Sequence, residues 1–154
     1  MTETATQGSQ WLHGIPAVRP WVFKAYLAAP SSYQPMMREW RADLAEIGCT
    51  VTSRWLDRAI TGDFDPSLPH WRDWALEDIQ DVINADVVIS CTLESTGRGG
   101  RHAEFGMGIA FGRQAVIIGR REHIFHCLPA VPAFPDWVTF ILSVQSGDWA
   151  AAHQ

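Results

Sequence analysis

ADVVISCTL (85–93), ESTGRGG (94–100), RHAEFGMGIAFG (101–112) and QAVIIG (114–119) form one nearly unbroken stretch of the chain. The first and last are continuous apolar runs of the kind buried on both faces of a sheet. Between them, a loop holding Gly97, Gly99 and Gly100 leads into a mostly apolar segment that reads as a helix. Strand, helix and strand in this order predict two parallel neighbours joined by a right-handed crossover.

The same alternation extends in both directions. WVFKAYLA (21–28) is a β-rich run closed by Pro30, Ser31 and Ser32. Met36, Met37, Trp40, Leu44 and Ile47 recur at three- and four-residue steps and predict a helix over 35–47, stopped at Gly48. CTVTSRWL (49–56) alternates as a strand does, ITGDFDPSLP (60–69) has loop composition, and HWRDWALEDIQDVIN (70–84) is a helix entered at Pro69. Beyond residue 119 a weaker strand is expected over 130–134, then a final helix from Pro135 to about Gln145. The expectation is an α/β three-layer sandwich with a mainly parallel sheet of about five strands. It places one domain over 21–154, behind a flexible polar tail over 1–20. In such sheets ligands bind beyond the carboxyl ends of the strands, here the loops after residues 28, 56, 93 and 119.

Composition narrows the function classes. Hydrophobic residues make up 47% of the 154 and charged residues 19%, too apolar for a disordered chain, and no run approaches the ~18 residues of a membrane helix. Seventeen acids against 12 bases give a net charge of −5, which argues against a duplex nucleic-acid binder. Three widely spaced cysteines and the absence of a basic, apolar leader in MTETATQGSQ make a reducing cytoplasm the expected location. No GxSxG elbow, Walker loop or HExxH occurs, and the dinucleotide fingerprint fails because His102 and Phe111 stand where its third glycine belongs. His123, His126 and Cys127 lack the fuller ligand set of zinc patterns, so neither metal nor cofactor is expected.

Two acids stand out. At about 100° per residue the 70–84 helix gathers Trp71, Trp74, Ala75, Ile79 and Val82 on one face, and Asp78 falls in the middle of it. A carboxylate there requires a partner, whether as a structural acid or as a site residue. Glu104 is the only acid between Glu94 and Glu122 and is expected in the first turn of its helix. There the dipole would favour its ionised form by roughly 0.3–1 kcal/mol, serving either a nucleophile or the helix alone. Tyr26, near the end of the first strand, is a core tyrosine or a phenol at the binding edge. Trp55 and Asp57, at the end of the second, offer a stacking face and a hydrogen bond, or a core aromatic and a turn acid. Trp71 and Trp74 are expected in the core, leaving Trp55 as the candidate surface for a base.

YLAAP (26–30), SRWLD (53–57), EDIQDVINADVVIS (77–90), GGRHAEFGMGIAFGRQAVIIG (99–119) and REHIFHCLP (121–129) together resemble the nucleoside 2-deoxyribosyltransferases and the related deoxynucleoside 5′-monophosphate N-glycosidases. The glycine loop running into H-x-E-F-G is the most specific part. The resemblance implies a flavodoxin-like sheet in a homo-oligomer, Glu104 as the nucleophile on the sugar, Asp78 as the acid assisting the leaving base, and Tyr26 as the hydroxyl that orients Glu104. It also implies substrate contacts from Ser31, Ser32, Ser95, Thr96 and Arg98, together with Gly99, Gly100 and His102 of the loop. The implied activity is cleavage of the N-glycosidic bond of a 2′-deoxynucleoside or deoxynucleotide with transfer to another nucleobase. The alternatives are transfer to water, or a non-catalytic nucleotide-binding module in which Arg98 and Arg101 grip a phosphate. Six residues before the nucleophile, where transferases of this family often carry an aspartate, this chain has Arg98.

Overall fold

The computed structural model describes residues 22–60, 63–94 and 99–151. The tail expected over 1–20 and the substrate contacts expected from Ser95, Thr96 and Arg98 lie outside them. Strands β1 (Lys24–Ala28), β2 (Thr50–Val51), β3 (Val87–Thr92), β4 (Gln114–Gly119) and β5 (Ala133–Phe134) alternate with helices α1 (Gln34–Glu46), α2 (Pro69–Asn84), α3 (Gly100–Ala110) and α4 (Trp137–Ser146). A four-residue helix α5 (Asp148–Ala151) ends the described chain. Every strand pair is parallel and the order is β2-β1-β3-β4-β5, the doubly wound flavodoxin-like arrangement.

All six residues of β3 are buried, as a central strand covered on both faces requires. Helices α2 and α3 cover one face. On the other, Trp40 of α1 stacks on Trp137 of α4 with centroids 4.2 Å apart and planes 4° apart, and the Trp137 indole donates to Asp43 at 2.7 Å. No helix among the described residues is long and apolar enough to cross a membrane.

The strand expected over 49–56 is much shorter than its alternation implied. After Val51 the ladder to β1 continues through one more bond, Thr52 N–H to the Ala25 carbonyl at 2.8 Å, and then side chains replace backbone. Ser53 Oγ accepts the Leu27 N–H at 2.7 Å, and the Trp55 indole donates to the Leu27 carbonyl at 2.8 Å. With the edge of β1 satisfied in this way, the chain is free to coil into a 3-10 turn at Arg54–Asp57. The weak strand foreseen over 130–134 is likewise only Ala133–Phe134.

Helix α3 lies unusually close to the sheet. A Cβ built on Gly108 would sit 2.6 Å from Val88 Cγ2, so only glycine fits between the helix and β3. At its start, Gly99 adopts φ 87°, turning the preceding loop into the helix. The Gly108→Ala variant is expected to lose about 1–3 kcal/mol of stability by overpacking against a stiff β-branched neighbour. Adding Val88→Ala should recover part of that loss, so denaturant melts of both single variants and the double variant should give a non-additive cycle.

Candidate active site

A cavity of about 850 Å³ opens beyond the carboxyl ends of β1, β3 and β4. Ser31 and Ser32 enter it from the turn after β1, Gly99 and Gly100 from the start of α3, and Glu122 from the segment after β4. The cavity therefore sits where the strand order reverses between β1 and β3, as the topology predicts.

Glu104 and Asp78 both line this cavity, from α3 and α2 respectively. Glu104 occupies the fifth position of α3, so the expected placement in the first turn is incorrect and the dipole does not set its charge. Burial dominates instead. Part of its surface faces the cavity, but protein crowds the carboxyl elsewhere, and this desolvation pushes its pKa up to about 8. The negative charge of Asp78 pushes in the same direction, while the hydrogen bond from Tyr26 and the charge of Arg58 oppose it. Glu104 is thus mainly protonated at neutral pH, rather than ionised as a dipole would favour.

Tyr26 is fully buried within β1, paired to Val88 of β3, and donates its hydroxyl to Glu104 Oε1 at 2.8 Å. Burial, the first cause, and the nearby carboxylates raise the phenol well above its ordinary pKa, so it acts as a donor. Asp78 is partly buried. Its desolvation raises the carboxyl from its ordinary value, and the Arg58 guanidinium pulls in the opposite direction. Arg58 Nη1 reaches Asp78 Oδ2 at 3.2 Å, and Nη2 reaches Asp78 Oδ1 at 3.0 Å and Glu77 Oε2 at 2.8 Å.

The tryptophans are distributed differently from the expectation. Trp71 and Trp74 are not core residues; both are half-buried and line the cavity together with Phe64 and Ile60. Their rings meet edge to face at 5.2 Å, and Arg58 lies over Trp74 at 5.2 Å. Trp55 also borders the cavity but is 6% exposed and committed to Leu27 by its indole N–H. The aromatic wall suited to a flat ligand is therefore built chiefly by α2. Asp57 takes no part in it: its carboxylate is clamped by Arg41 at 2.9 and 3.0 Å on the exposed side of the 3-10 turn. Arg101 lines the cavity with its guanidinium already engaged, by Glu94 O at 3.0 Å and Glu122 Oε2 at 2.6 Å, which leaves it unsuited to gripping a phosphate.

Among the described residues, His102, His123 and His126 bring one ring nitrogen each within 4.8 Å of one another, whereas Cys127 is exposed. His102 completes this group from α3, which the spacing of His123, His126 and Cys127 did not reveal. A divalent metal would require every ring to turn a lone pair inward. The Glu122 backbone N–H donates to His126 Nδ1 at 3.1 Å, which fixes the ring proton on Nε2. That ring is also fully buried, and desolvation lowers its pKa to about 4. His126 Nε2, carrying that proton, has no lone pair to offer a metal, and His123 Nε2 and His102 Nδ1 are in contact at 3.2 Å.

Arg58, Phe64, Trp71 and Trp74 are the site residues that pattern alone did not assign. The signal for Arg58 was present in the need of Asp78 for a buried partner.

No family model matches the chain, and no curated protein matches it in sequence. Solved structures match its fold. A CMP N-glycosidase of Clostridium botulinum superposes with a TM-score of 0.56 at 14% identity, over 80% of this chain and 98% of that one. A 2-deoxyribosyltransferase from Bacillus psychrosaccharolyticus superposes with a TM-score of 0.62 at 17% identity, over 84% of this chain and 95% of that one. The chain thus has the flavodoxin-like fold that these two enzymes share.

Proposed function

We propose that this protein cleaves the N-glycosidic bond of a 2′-deoxynucleoside or its 5′-monophosphate, with Glu104 as nucleophile, and transfers the deoxyribosyl group to another nucleobase. The observation that carries this reading is the part-buried pairing of Glu104 with Tyr26 at 2.8 Å, in the wall of a cavity that Asp78 also lines. The likeness of the fold to a deoxyribosyltransferase and a CMP N-glycosidase supports it.

A Glu104 oxygen attacks C1′ as the C1′–N bond breaks, its electron pair passing to the base nitrogen, which takes a proton from Asp78. The sugar is then held as an ester of Glu104. A nitrogen of the second base attacks C1′, frees Glu104 and returns a proton to Asp78. Tyr26 holds one carboxyl oxygen in place, and the wall of Trp71 and Trp74 stacks the base. Before the first step, the proton that resides on Glu104 must move to Asp78 or to the base. Ser31, Ser32, Gly99, Gly100 and His102 are the substrate contacts of this reading, and a homo-oligomer is its expected assembly.

Transfer to water is a second reading, favoured by Arg98 at the position where transferases often carry aspartate. Incubating the protein with each deoxynucleoside and deoxynucleotide, with and without a free base, separates the two by chromatography. An exchanged nucleoside indicates transfer, a free base alone indicates hydrolysis, and neither product with any substrate overturns both.

Glu104→Ala should lower turnover about 10³-fold or more, and Asp78→Asn about 10²–10⁴-fold, with folding unchanged by circular dichroism. The two carboxyls share one essential proton, so kcat/KM should trace a bell. It should fall at low pH, as Asp78 also becomes protonated, and above about 8, where Glu104 gives up its proton. A profile that keeps rising beyond pH 9 would remove Asp78 from the role of acid.

A further inference from the structure

Arg58 is a largely buried cation whose two terminal nitrogens are both held by α2. Its side chain is 10% exposed, and its guanidinium lies 5.2 Å over the Trp74 ring. Nη2 donates to the Trp74 carbonyl at 3.3 Å and to Glu77 Oε2 at 2.8 Å, and Nη1 to Asp78 Oδ2 at 3.2 Å. At the other end, Gln34 Nε2 donates to the Arg58 carbonyl at 2.9 Å, tying the segment to the start of α1. With both terminal nitrogens committed to α2, its effect on the cavity passes through the carboxylates it holds.

Asp78 is the one of those carboxylates that lines the cavity. Arg58 is the cation that faces it; Glu77 and Asp81 on its own helix, Glu104 from α3 and Tyr26 from β1 also act on it. Asp81 has its own partner, Arg54 Nε at 2.8 Å, whereas Glu77 competes with Asp78 for the same Arg58 nitrogen. We propose that Arg58 is a positioning residue that fixes the Asp78 carboxylate in the cavity wall and, balanced by Glu77, decides which of Asp78 and Glu104 carries the shared proton. This rests on the reading of Asp78 as the group that protonates the leaving base.

The two flanking residues give opposite outcomes. Arg58→Met removes the cation, so the acid limb of kcat/KM, which reports Asp78, should move up by about one pH unit or more. Glu77→Gln removes the competing anion, so the same limb should move down. Arg58→Lys, with a compact charge in place of the planar fork, should lie between wild type and Arg58→Met. The Asp78 titration is also followed without turnover, by carbon-13 NMR of aspartate-labelled protein, with Asp78→Asn assigning the resonance. Opposite displacements in both measurements support the proposal. An Asp78 titration that stays in place in Glu77→Gln and in Arg58→Lys overturns it, even where Arg58→Met fails to fold. A wild type that turns over no substrate while its Asp78 resonance shifts as expected overturns the catalytic reading, and with it the role of Arg58 in the reaction, but leaves the clamp itself in place.

Discussion

The missing side chain of Gly108 sets the height of α3 above the sheet, and the site depends on that height. Gly108 rests on Val88 of β3, and Val88 pairs in register with Tyr26 of β1. One helical turn before Gly108, on the same side of α3, stands Glu104. The closeness that glycine permits at one turn brings the carboxyl within 2.8 Å of the phenol at the next. A bulkier residue would lift the helix and separate the hydroxyl from the acid it orients.

The central architecture was legible because its signals are local. β3 and β4 are continuous apolar runs, α1 and α2 carry clear periodicity, and the alternation of the two dictates a parallel sheet. β2 was overread because alternation in CTVTSRWL describes burial, not pairing: Ser53 and Trp55 face inward as strand residues would, yet bind β1 through side chains. Asp78 and Glu104 were legible as acids out of place. Their surroundings were not, because Arg58 and His102 meet their partners only through tertiary contacts. The apolar stripe of α2 could not reveal that Val82 is buried while Trp71 and Trp74 border a cavity. One stripe serves two purposes along its length, and periodicity cannot separate them.

The two carboxyls illustrate how environment separates like groups. Both are raised by desolvation, but only Asp78 has a guanidinium in direct contact. The charge that Arg58 stabilises on Asp78 is felt by Glu104, which holds its proton more tightly in consequence.

The hydrogen bond between Tyr26 and Glu104 spans 78 residues of sequence. Asp78 and Arg58, which complete the site, lie between them along the chain, so no shorter segment contains all four. Closing so long a loop is entropically costly, and parallel pairing of β1 with β3 must precede the contact. The site is therefore complete only once β1 and β3 are paired. A nascent or partly unfolded chain has no assembled pair of carboxyls beside the phenol.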